Sequence, residues 1–90
     1  MRYFPFEDAR ELIVQYIERS AGGGVGRRVT DATDLLQDGL IDSFGFVELI
    51  DLLELASGTE LHLEKLPPAD IARVGALAAL AATNETTASA

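Results

Sequence analysis

Phe6, Ala9, Leu12, Ile13, Tyr16 and Ile17 recur at three- and four-residue steps. That spacing stacks apolar side chains along one side of an α-helix. It predicts an amphipathic helix over 5–20 whose apolar stripe must be covered by something else. Pro5 suits a first helical turn, and Glu7 and Asp8 complement its positive start. Ala21-Gly22-Gly23-Gly24-Val25-Gly26 ends it. No segment alternates apolar and polar residues well enough for a sheet, so the cover must come from other helices.

A second helix is predicted over 43–57, buried through Phe46, Leu49, Ile50 and Leu53 and closed by Ser57-Gly58. The connection between the two helices, 22–42, is long for a chain of 90 residues. It is expected to be anchored by Val29, Leu35, Leu36, Leu40 and Ile41, with a short helical turn at 34–37 and a turn at Asp38-Gly39. Leu61 and Leu63 are expected to plug the core, and Pro67-Pro68 to stop the following loop. Pro68-Ala69-Asp70-Ile71 suits a short helical turn. A last helix over 73–82 would pack through Val74, Leu77 and Leu80, with Gly75 inside it costing about 1 kcal/mol relative to Ala. The small polar segment 83–90 reads as a disordered tail. The expected architecture is all-α: one bundle of three longer helices plus one short helix, with a long loop between the first and second.

Charge narrows the partners. The net charge is −8, and no Lys or Arg occurs from Val29 to Glu64, where nine of the fifteen acidic residues lie. Such a field repels nucleic acid and anionic lipid and attracts basic protein surfaces. No apolar run approaches the roughly 20 residues of a membrane span. The start, Met1-Arg2-Tyr3-Phe4-Pro5, has no signal-peptide apolar region. There is no cysteine, so no disulfide framework and no thiolate metal site. A cytoplasmic monomer is expected, and any thiol chemistry needs a thiol from outside the sequence.

The chemistry centres on Asp38-Gly39-Leu40-Ile41-Asp42-Ser43-Phe44, followed directly by the acidic second helix. Ser43 stands at the mouth of that helix. A Ser in this place is ordinarily an N-cap. Here Asp42 precedes it and can cap instead, leaving the Ser43 hydroxyl free. Leu40 and Ile41 would anchor the approach, and an anion on Ser43 would sit at the positive helix end. Ser43 is not expected to be a catalytic nucleophile, because no base accompanies it. The one histidine, His62, reads as a partly exposed structural residue. No zinc, calcium-loop, nucleophile-elbow or phosphate-loop motif is present.

Gly39-Leu40-Ile41-Asp42-Ser43-Phe44 with Val47-Glu48-Leu49 resembles the signature of acyl and peptidyl carrier proteins. The resemblance extends over 6–82 through helix order, the long first loop and the acidic second helix. It implies a carrier domain over 1–82 that is not an enzyme. Ser43 would receive 4′-phosphopantetheine from coenzyme A, with Asp42 as its motif neighbour, through a separate phosphopantetheinyl transferase that brings magnesium and the base. Acyl or aminoacyl cargo would ride on the arm as a thioester. Glu48, Asp51 and Glu54 match the acidic face that family partners grip through basic patches, and Phe44 and Val47 match the apolar contacts beside the arm. The implied partners are the transferase, a loading ligase and downstream transferases.

Phe44 stands where fatty-acid carriers usually have Leu, Asp51 where they often have an apolar residue, and Ala72 where Ser, Thr or Asp usually starts the last helix. The Leu-Ile-Asp-Ser-Phe run and Leu66-Pro67-Pro68-Ala69-Asp70-Ile71 are similar to stand-alone D-alanyl or aminoacyl carriers and to secondary-metabolism carriers. The alternative is a small acidic helical module that docks proteins without modification.

Overall fold

A computed structural model describes residues 3–82. The tail predicted over 83–90 lies outside the described residues. The first helix, α1 (Phe6–Ala21), and the second, α2 (Ser43–Ser57), follow the predicted periods closely. The third, α3 (Val74–Ala81), is only eight residues long. Single 3₁₀ turns occupy Val25–Arg28, Leu63–Lys65 and Pro68–Asp70. The fold is all-α, with no strand among the described residues. The expected three longer helices plus one short helix are corrected, among the described residues, to two long helices, one two-turn helix and three 3₁₀ turns.

Burial explains the arrangement. Ala9, Ile13, Val14, Tyr16 and Ile17 form the inner stripe of α1. They pack mainly against Val74, Leu77, Ala78 and Ala81 of α3 and, less extensively, against α2. From α2 come Leu49, Ile50 and Leu53; Val29, Leu35, Ile41 and Leu61 complete the core from the loops. Leu63 and Phe46 pack against it partly buried. Leu36 departs from the reading that it tucks under the loop: it is exposed. The 34–39 segment is a turn in which the Asp34 carboxylate accepts the N–H groups of Leu36 and Gln37, turning that stretch outward.

The long loop is ordered by the start of α3. Arg73 caps α3 in extended conformation without a side-chain bond, so the first helical N–H groups need other acceptors. They find them in the loop. Val74 N–H donates to Thr33 O at 3.0 Å and Gly75 N–H to Asp31 O at 2.9 Å, and in the reverse direction the loop's Leu35 N–H donates to Ala72 O at 2.8 Å. The Arg73 guanidinium adds a bond to Ala32 O at 2.7 Å. A backbone clasp thus does the work of the missing Ser, Thr or Asp cap. It also holds Arg73 extended, which shortens the helix at its start.

Gly75 lies under this clasp. A Cβ there would stand 2.8 Å from Asp31 Cβ and 3.1 Å from Asp31 O. Asp31 cannot retreat freely, because Arg10 Nε donates to its carboxylate at 2.7 Å. Packing therefore outweighs helix propensity at this position. Gly75→Ala is expected to lower stability by about 1–2 kcal/mol instead of raising it by about 1 kcal/mol. Urea unfolding followed by circular dichroism reads the sign.

Candidate functional site

α2 begins where its cap lies. Asp42 is extended, and its Oδ1 accepts the Gly45 N–H at 2.8 Å. The Asp42 carbonyl accepts the Phe46 N–H at 2.9 Å. The capping task therefore falls to Asp42. Ser43, the first helical residue, is exposed, and among the described residues no group hydrogen-bonds its hydroxyl. The approach is rigid: Leu40 N–H and Ile41 N–H both donate to Leu35 O, at 3.0 and 3.2 Å, and Ile41 is buried.

Beside Ser43 an open groove of about 790 Å³ runs between the C-terminal half of α1 and the N-terminal half of α2. Asp42 and Phe44, the residues flanking Ser43, both line it. Phe44 is 87% exposed and Val47 58%, an unusual display of apolar surface on so acidic a helix. Glu48 and Asp51 supply carboxylates, and among the described residues no Lys or Arg lines the groove. Asp42, Phe44, Val47, Glu48 and Asp51 are thus gathered in one place. Glu54 is not. It is half-buried one turn further on, where its carboxylate accepts the Leu61 N–H at 2.9 Å and ties the end of α2 to the next loop. With Asp51 it borders a second, shallower groove that includes Leu55 and Glu60.

The sequence reading missed Tyr16 and Ser20 as groove residues. Tyr16 belongs to the buried stripe of α1, yet its hydroxyl reaches across to Glu48 Oε1 at 2.7 Å. The two are 32 positions apart, and nothing local announces the pairing. Burial raises the Tyr16 phenol above its ordinary value, and the hydrogen bond to Glu48 adds to the effect. The native protein therefore keeps this proton longer than the unfolded chain does. Below the ordinary value of 10.0 both states hold the proton and no pH dependence arises. Above it the unfolded state loses the proton first, so stability falls until the folded value is passed. Wild-type protein should lose more stability than Tyr16→Phe between pH 9 and 11, measured by denaturant unfolding across that range.

His62 Nδ1 lies 3.2 Å from Glu64 Oε2, and among the described residues it makes no bond to Ser43. No helix among the described residues is long and apolar enough to cross a membrane. No family model, curated protein or solved structure matches the chain.

Proposed function

We propose that the protein is a discrete acyl or aminoacyl carrier: a covalent shuttle, not an enzyme, whose Ser43 holds a 4′-phosphopantetheine arm. One observation carries this reading. The hydroxyl of Ser43 is exposed and unengaged because Asp42 does the capping. The order of a long helix, a long loop, an acidic helix and a small last helix supports the same likeness to an acyl-carrier bundle.

The residues present fit such a group. Ser43 offers an accessible oxygen, and the N–H groups of Ser43 and Phe44 at the start of α2 have no acceptor among the described residues. Helix-start N–H groups of this kind favour a phosphodiester. In the modification, the Ser43 oxygen bonds to the phosphorus of coenzyme A that carries the pantetheine. The phosphoanhydride bond breaks, adenosine 3′,5′-bisphosphate leaves, and the serine proton passes to the transferase. The arm then supplies the thiol that this cysteine-free chain lacks. On this reading the protein works in the cytoplasm as a monomer, visited by a transferase, a loading ligase and downstream transferases.

Incubation with coenzyme A and a broad-specificity phosphopantetheinyl transferase should add the mass of one arm to the whole population. An unmodified intact mass would remove the proposal and leave the reading of an unmodified docking module.

The exposed carboxylates of Glu48 and Asp51 would steer basic partners, an effect that acts on encounter rate and fades with salt. Replacing both with Lys should slow modification about tenfold or more at low salt, with the gap narrowing as salt rises. Equal rates at low salt would mean that this face is only solvated.

A further inference from the structure

The α1–α2 groove has features that docking of a partner does not explain. It opens at both neighbours of Ser43, and its volume of about 790 Å³ is suited to a small molecule. Leu40, Ile41, Phe44 and Val47 give it apolar walls, and Asp42, Glu48 and Asp51 give it negative charge with no lining cation among the described residues. Glu48 is held in place by the Tyr16 hydroxyl through one oxygen, and no described residue bonds the other.

We propose that this groove is the resting site of the cargo itself, and that it selects a small aminoacyl group over a neutral acyl group. The inference rests on the carrier reading of Ser43. The free ammonium of an aminoacyl group meets Glu48 and Asp51, while its short side chain lies against Phe44 and Val47. A neutral acyl group of the same size would cover the same walls while crowding carboxylates it cannot pair, which costs hydration. Exposed ion pairs are weak taken alone. A tether at Ser43 changes that, because it holds the cargo at high local concentration beside the groove.

The side of α2 that carries Leu49 and Leu53 is closed by packing. Leu49 and Leu53 of α2 and Leu77, Ala78 and Ala81 of α3 are all fully buried, so a long chain would have to repack that seam. A functional consequence follows. A partner whose basic side chains reach Glu48 and Asp51 competes for the same carboxylates and so frees the cargo for transfer.

The test uses the full 90-residue chain. Arms ending in amide-linked alanyl or isobutyryl groups, equal in size but differing in the ammonium, are installed on Ser43 and attachment is confirmed by mass. Backbone amide shifts are then compared with those of the unloaded arm. The alanyl arm should shift Tyr16, Ser20, Val47 and Glu48, and the isobutyryl arm should shift them at least about threefold less. Glu48→Gln with Asp51→Asn, which keeps the acceptor for Tyr16 and removes the charge, should erase the difference between the two arms. Attached arms that give equal shifts, or shifts only at Leu77 and Ala78, would overturn this inference and leave the carrier reading standing. Failure of any arm to attach would overturn both.

Discussion

Ser43→Ala is expected to abolish attachment of the arm completely while leaving the melting temperature almost unchanged. The two halves of that result come from the same geometry. Because Asp42 Oδ1 already accepts the Gly45 N–H, the Ser43 hydroxyl contributes no cap. Its removal should change stability by no more than about 0.5 kcal/mol, as for other exposed positions. Asp42→Ala is the matching control. It removes the cap and should cost about 1 kcal/mol. A Ser43→Ala protein that lost stability as Asp42→Ala does would show Ser43 to be an ordinary helix cap.

The second large effect lies far from Ser43, at Gly26→Ala. Gly26 is pressed onto the last turns of α1. A Cβ there would run into the Val14 carbonyl oxygen, with Glu18 N at 2.8 Å and Glu18 Cβ at 2.9 Å. The first two obstacles are helix backbone, so the loop must lift. Lifting breaks a pair of bonds that hold it down. The Glu18 carboxylate accepts Gly24 N–H at 2.8 Å and Gly26 N–H at 3.0 Å. Overpacking against a rigid neighbour together with loss of these bonds should cost about 3 kcal/mol or more. In a domain this small that corresponds to a drop of roughly 12–24 °C in melting temperature, measurable by circular dichroism. A drop below about 3 °C would mean that the loop yields without using these contacts.

These residues also show what the sequence displays and what it hides. The bounds of α2 are legible because every signal is local: an Asp cap, an apolar stripe, and Ser57-Gly58 at the end. The gathering of Phe44, Val47, Glu48 and Asp51 beside Ser43 is legible for the same reason, since one helix carries them all. The start of α3 is not, because its caps are carbonyls of Asp31 and Thr33, more than 40 positions upstream. Gly26 reads only as part of the glycine run that ends α1 and Gly75 as a weak helix residue, whereas both are close approaches created by tertiary packing. Tyr16 carries a plain core signature, and only the crossing of α1 and α2 brings its hydroxyl to Glu48. Glu54 reads as one more surface acid until the loop returns Leu61 to it.

The most direct measurement is mapping of the adduct. Trypsin cuts after Arg28 and Lys65 and nowhere between, so Ser43 falls in one peptide, 29–65, together with Ser57, Thr30, Thr33 and Thr59. After incubation with coenzyme A and the transferase, fragmentation of that peptide should place one phosphopantetheine on Ser43 and none on the other hydroxyls. An unmodified 29–65 peptide, or an arm on any residue but Ser43, would contradict the account.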